Sequence, residues 1–290
     1  MDDKLRFGPL SHLNLLSEGY ERTKSRLIEL FDVQVNLEIP AAPDDDTDAF
    51  LFTLGGVITE AFVPRQRAER GQGRLLNLYG EHYLGVEYCV ADVAESRRVC
   101  ERHGVRLIRD DGPLLFTYPG ACCGLAWELF EGDFHHPPAG GTEGEEGIPA
   151  YFTALKPDAW WRDEHPLGVT GLARITTVVR DLDASVEQFT GLVDCEIVGH
   201  PARTGASAVE LLVTGTIYEL LAPTADGPLA GFAERYGDRM RSAVYRVADL
   251  GRVEKHLAGL GVTLEPGYTA GTFLVPPAQA LNLHFEFSES

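Results

Sequence analysis

Long hydrophobic runs are missing from this sequence. No stretch approaches the roughly 20 consecutive apolar residues a membrane helix needs, so no membrane span is expected. Positive charge is also scarce: 25 Lys and Arg stand against 44 Asp and Glu, a formal net charge of −19. That balance argues against nucleic acid and anionic membranes as partners, because both require clustered basic residues to displace counterions. Cysteines are few and odd in number: Cys89, Cys100, Cys122, Cys123 and Cys195. Without paired spacing they fit reduced, buried thiols of a cytoplasmic protein rather than a disulfide framework or a zinc knuckle. The opening MDDKLRFG has no basic region followed by an apolar one, so no signal peptide is expected. Neither a Ser–His–Asp arrangement nor a phosphate-binding glycine loop declares itself.

What is present is a globular composition, 44% hydrophobic and 24% charged over 290 residues, long enough for two domains with a core each. The informative signal is repetition. Three segments share one plan: GVEYCVADVAESRRVCERHGVRLI from Gly85, RITTVVRDLDASVEQFTGLVDCEIV from Arg174, and SAVYRVADLGRVEKHLAGLGVTLE from Ser242. Each opens with a run of strand-forming residues and then reaches an Asp (Asp92, Asp181, Asp249) suited to cap a helix. The helices carry apolar residues at helical spacing. They are expected to end at Gly104, Gly191 and Gly261, each supplying a left-handed cap. Every unit closes on a strand with a glutamate inside an apolar run, at WELF, YELL and HFEF. Asp92 to Glu128, Asp181 to Glu219 and Asp249 to Glu286 span 36, 38 and 37 residues, a regularity that chance does not produce three times. A fainter copy opens the chain, with a strand from His12, a helix over about Tyr20 to Phe31, and a closing strand GVITEAFV carrying Glu60. Its cap is degenerate, with Gly19 at the Asp position.

The expected architecture is therefore α+β: four βαβββ modules paired into two domains, residues 5–134 and 168–290. The linker 135–167 begins rich in Pro, Gly and acidic residues, and Trp160 and Trp161 are expected to pin its later half. Tandem βαβββ modules resemble the vicinal oxygen chelate superfamily, which includes glyoxalase I, methylmalonyl-CoA epimerase, extradiol dioxygenases and drug-sequestering resistance proteins. The resemblance covers nearly the whole chain and is specific for fold, not for reaction. It implies that each domain is a curved, mostly antiparallel sheet enclosing a cavity, with helices outside. A four-module chain most resembles the extradiol dioxygenases.

The resemblance also implies where a divalent metal would sit: on the first strand of a module, seven residues before the Asp position, and on the closing glutamate. In the N-terminal domain those positions are His12, Gly85, Glu60 and Glu128. Strand alternation places Asn14 beside His12, and Glu87 and Cys89 beside Gly85. His12, Glu60 and Glu128 are a reasonable mixed site for Zn, Ni, Mn, Co or Fe, with Glu87 or Glu128 as the proton-moving carboxylate. The departure is Gly85, where a second histidine is expected; His82 could replace it only through a shifted register. In the C-terminal domain the positions are Arg174, Ser242, Glu219 and Glu286, with His284 beside Glu286 and Arg246 beside Ser242. Arginine cannot ligate a cation, so this domain does not match a two-His, one-Glu triad and is expected to hold no metal.

A lone strand histidine is more often structural than ligating, and glutamates at equivalent positions can be inherited pattern, paired with Arg174 or Arg246. The register of His12 against the repeat weighs the other way. His135 and His136 read as a solvated linker pair, and Asp44 to Asp46 as a solvated loop. The leading expectation is thus a metal-dependent enzyme, of isomerase or lyase type, acting on a small oxygenated molecule. A ring-cleaving dioxygenase is the second enzyme class. The contrasting class is a metal-free binding protein that encloses its ligand with Phe116, Tyr118, Trp127 and Phe130. The expected partner is a small-molecule substrate, with a homodimer left open as the assembly.

Overall fold

A computed structural model describes residues 4–40, 46–65, 71–131, 155–269 and 271–289. His135, His136, Asp44 and Asp45 lie outside the described residues. In the first module β1 (Leu10–Leu16) leads to α1 (Tyr20–Phe31), followed by β2 (Gln34–Ile39), β3 (Thr47–Leu54) and β4 (Val57–Pro64). Helix α2 (Gly71–Tyr79) connects to the second module: β5 (His82–Val90), α3 (Val93–Arg102), β6 (Leu107–Asp110), β7 (Leu114–Thr117) and β8 (Ala126–Glu131). Beyond α4 (Asp158–Asp163) the third module comprises β9 (Val169–Val178), α5 (Leu182–Leu192), β10 (Glu196–Gly199), β11 (Ala206–Val213) and β12 (Thr216–Pro223). Helix α6 (Pro228–Tyr236) then leads to β13 (Arg239–Val247), α7 (Leu250–Gly259), β14 (Glu265–Pro266), β15 (Thr272–Leu274) and β16 (His284–Ser288).

The strands form two eight-stranded sheets with one topology, β2-β3-β4-β1-β5-β8-β7-β6 and β10-β11-β12-β9-β13-β16-β15-β14. Within each module the first and last strands pair in parallel, and the two first strands meet antiparallel at the sheet centre. Both sheets are therefore mixed, with antiparallel pairs in the majority. The fold is α+β, as the repeat implied.

Local chemistry explains the helix starts. Asp92, Asp181 and Asp249 each cap with a side-chain oxygen, accepting from the amides of Glu95, Ala184 and Gly251; such a cap stabilises by about 1 kcal/mol. Helix α1 begins at Gly19 with no side-chain cap. The helix ends differ from expectation at one point. Gly104 and Gly261 adopt positive φ of 64° and 76°, but Gly191 lies inside the last turn of α5, whose cap residue is the extended Val193.

Alternation along the strands sorts side chains onto two faces. One face of each sheet contributes to a single apolar core that runs between the domains, including Leu13, Val86, Tyr88 and Trp127 from the N-terminal sheet and Ile175, Tyr218, Tyr245 and Phe285 from the C-terminal one. Trp127 packs against Phe189 and Tyr218, each with ring centroids 5.5 Å away, and the hydroxyls of Tyr88 and Tyr218 are 2.9 Å apart. Gly124 permits this close approach: a Cβ there would sit 2.2 Å from the backbone of Asp238 and Arg239. Trp161 of α4 is fully buried in the same core. The chain start is also shared, because Leu5 forms a bridge with Val193 of the C-terminal half. On the opposite, concave faces, α2 lays Leu75 and Leu76 against Leu16, Phe62 and Phe116. Helix α6 lays Leu229 and Ala233 against Val178 and Leu221 in the second sheet.

Candidate metal centre

Register places five polar side chains side by side on the concave face of the N-terminal sheet. Asn14 is opposite Glu60 and Gly85, and His12 is opposite Glu87, which is in turn opposite Glu128. The His12 imidazole lies at the centre. Its Nε2 is 3.2 Å from Glu60 Oε2 and 3.7 Å from Glu128 Oε2, and its Nδ1 is 3.5 Å from Glu87 Oε1. Asn14 Nδ2 donates to Glu128 Oε2 at 2.7 Å. His12, Glu87 and Glu128 are all buried, and one ligand atom from each lies within 4.8 Å of the others. Glu60, with its side chain 12% exposed, is the most open member.

The electrostatics follow from crowding charge out of water. Burial disfavours the His12 imidazolium, but the Glu87 charge and the contacts to Glu128 and Glu60 outweigh it and hold the pKa well above the usual value. Burial, reinforced by repulsion from Glu128 and Glu60 and opposed by His12, pushes the Glu87 carboxyl up to about 7. Burial also raises Glu60, against the attraction of His12. With all three carboxylates ionised, these four groups would carry more negative than positive charge even with His12 protonated. Buried carboxylates ordinarily require a partner, and a divalent cation would supply one. The donor set, one imidazole and three carboxylates, fits such a cation. Asn14 Oδ1, buried with no hydrogen-bond partner among the described residues, adds an unused acceptor.

The reading of Gly85 becomes steric. A Cβ at this position would lie 1.8 Å from the Ala126 carbonyl oxygen, so no histidine fits on this backbone, and the carboxylate of Glu87 is what β5 offers instead. His82 does not join the cluster: its Nδ1 lies 2.7 Å from the Gly80 carbonyl and its Nε2 3.4 Å from Arg239. The aromatic set proposed for a ligand wall also divides. Phe116 is on the concave side with Tyr118 nearby, whereas Trp127 has the opposite strand parity to Glu128 and is buried between the sheets.

The second sheet repeats the geometry with different residues. Glu219 is opposite Thr176, Thr176 opposite Ser242 and Ser242 opposite His284; Arg174 is opposite Val244, and Val244 opposite Glu286. Arg174 Nε approaches Glu219 Oε2 to 3.4 Å. Glu286 pairs with Arg241 at 2.9 Å, not with Arg246, which is exposed. Glu219 also receives Arg203 Nε at 2.6 Å. Arg203 and Arg241 escaped the sequence reading for physical reasons. The first lies outside the repeated segments, and the second occupies a β-bulge in β13, one residue out of phase with its alternation.

No protein-family model matches this chain, and no curated protein matches it. Solved structures do. A mutant 4-hydroxymandelate synthase from Streptomyces coelicolor superposes with a TM-score of 0.70 over 97% of this chain and 92% of that one, at 12% identity. A fusion of a xylose isomerase-like TIM barrel with 4-hydroxyphenylpyruvate dioxygenase gives 0.60 over 97% of this chain and 48% of its own length, also at 12%. Methylmalonyl-CoA epimerase from Mycobacterium tuberculosis aligns over 41% of this chain and 87% of its own length, with 23% identity and a TM-score of 0.39. The chain has the vicinal oxygen chelate fold in its two-domain, four-module form. Among the described residues no helix is long and apolar enough to cross a membrane.

Proposed function

We propose that this chain is a metal-dependent enzyme of isomerase or lyase type, acting on a small oxygenated organic substrate at the concave face of the N-terminal sheet. One observation carries the reading: three carboxylates converge on a single buried imidazole. His12, Glu60 and Glu128 would hold a divalent metal (Zn, Ni, Mn, Co or Fe). When bound it would supply Lewis-acid polarisation of a substrate carbonyl, enol or phenol oxygen.

The chain's own residues do the rest. Glu87, whose carboxyl burial pushes up to about 7 in the metal-free chain, is the group placed to take or give a proton as general acid–base. Its carboxylate lies at His12 Nδ1, on the side of the ring away from Glu60 and Glu128. Asn14 holds Glu128 in place through its amide donor. Phe62 and Phe116, 6.2 Å apart, with Leu75 and Leu76 of α2, form an apolar wall on the same face that keeps water away.

The test uses metal-loaded protein with a panel of α-hydroxy carbonyl and β-dicarbonyl compounds in D2O, followed by NMR for deuterium exchange beside the carbonyl. Glu87→Gln should keep the metal and lose exchange, and Glu60→Gln should lose the metal. The reverse pattern would exchange the two roles. Oxygen uptake with catechols or aryl 2-oxo acids, without deuterium exchange, would replace the isomerase reading with the dioxygenase one. Tight binding of a panel compound with no turnover would mark a binding protein.

A further inference from the structure

The equivalent face of the C-terminal sheet has a different problem, buried donors without acceptors among the described residues. Its floor contains three nearly buried guanidiniums, Arg174, Arg203 and Arg241, with side chains 10%, 9% and 2% exposed. Two buried carboxylates face them, and both are engaged. Glu219 takes Arg203 on Oε1 and the Thr176 hydroxyl on Oε2, and Glu286 takes Arg241. Glu210, a quarter exposed, pairs with Arg203. Arg174 is ion-paired with Glu219 but leaves hydrogen-bond donors unfilled. Its Nε lies 3.4 Å from Glu219 Oε2 without hydrogen-bond geometry, and Nε and Nη2 are both buried with no acceptor among the described residues. Ser242 Oγ, diagonally across from Arg174 on the neighbouring strand, is buried and unpartnered too, as is Arg241 Nε. Unsatisfied donors of this kind cost stability wherever they are buried. His284 lies opposite Ser242 in the register, and burial and the nearby Arg241 push it down to about 3.

We infer that this face is a second ligand site, taking a small organic monocarboxylate whose carboxylate is received by the Arg174 guanidinium and the Ser242 hydroxyl. A planar carboxylate matches the two parallel N–H groups of an arginine fork. A bound carboxylate would supply the acceptor that Arg174 Nε and Nη2 lack among the described residues. The surroundings favour a short apolar body on the ligand: Val244 lies between Arg174 and Glu286 in the register, and Phe232 of α6 and Tyr268, which stacks 3.8 Å from the Arg241 guanidinium, stand over the same face. The inference does not depend on a metal in the other domain.

Isothermal titration of the full chain, metal-free and metal-loaded, with acetate, pyruvate and benzoate tests it, with acetamide, phosphate and sulfate as controls. Saturable binding of at least one carboxylate is expected. It should weaken about tenfold or more in Arg174→Gln, an interaction-sized loss for a charged hydrogen bond, and weaken less in Ser242→Ala. His12→Ala should leave it unchanged. Ser242→Ala removes a hydroxyl with no hydrogen-bond partner among the described residues, so it serves as the variant that folds if Arg174→Gln does not. Equal affinity for phosphate and sulfate would overturn the carboxylate assignment. Carboxylate binding that ignores both substitutions, or no binding at all, would overturn the site.

Discussion

Where the N-terminal sheet has His12, the C-terminal sheet has Arg174; where one has Glu87, the other has Val244; where one has Gly85, the other has Ser242. Glu60 and Glu128 are kept as Glu219 and Glu286. Two floors of identical topology thus reach different charge balances through a few side chains, with Arg203 and Arg241 completing the second. The backbone decides where side chains meet; the residue at each meeting point decides whether the floor wants a cation or can neutralise its own carboxylates. The difference also shows how a repeat can be faithful in architecture and unfaithful in chemistry.

The comparison can be broken most forcefully at the closing glutamates. Arg241→Met would strand Glu286 as a buried, unpaired charge, and denaturant unfolding should lose about 3–5 kcal/mol. Glu87→Gln in the metal-free protein should do the reverse at pH 8, leaving stability unchanged or higher, because the charge it removes is one the site already resists. Equal losses from the two substitutions would mean that the floors are electrostatically alike.

The floors should also respond to pH with opposite signs. Glu87 rises on folding from the ordinary 4.5 to about 7, so its contribution is fully present below the unfolded value and is lost as pH climbs through 7. His284 falls from 6.5 to about 3; its contribution is present above 6.5 and is lost as pH drops toward 3. Unfolding free energies of the metal-free protein measured from pH 4 to pH 8 should show each slope flatten separately in Glu87→Gln and in His284→Gln. Parallel profiles in both variants would contradict the assignment.

The smallest effect sharpens the modules rather than the floors. Asp92→Ala should cost about 1 kcal/mol, whereas Gly19→Asp, at the uncapped start of α1, should gain a few tenths. A Cβ at Gly19 meets Arg22 only at 3.6 Å, so the gain should register in thermal unfolding without strain.

Much of this was legible in the sequence, for identifiable reasons. The Asp-to-Glu spacing betrayed the modules because a capped helix and a parallel closing strand tie those two residues to fixed places. Helix α1 was visible over Tyr20–Phe31 despite its missing cap, since its apolar spacing carried the signal. His12, Asn14, Glu60, Glu87 and Glu128 were found together because strand period and register are simple rules. Three things were hidden. Trp127 reads as part of a ligand wall because composition does not say which face of a strand is the domain interface. The partners of Glu286 and Glu219 were missed because a bulge and a loop follow no period. Gly191 reads as a left-handed cap, but α5 runs past it and ends at Val193, extended.

The most direct test of a cation-seeking N-terminal floor is metal content. Elemental analysis should compare tag-free wild-type protein with His12→Arg, the substitution that writes the C-terminal residue into the N-terminal position. About one equivalent of a divalent metal in wild type is predicted, with affinity lowered on the order of 100-fold or more in the variant, beyond the loss typical of an outer-shell partner. An unchanged metal content in His12→Arg, or none in wild type after incubation with Zn, Ni, Mn, Co and anaerobic Fe(II), would contradict it.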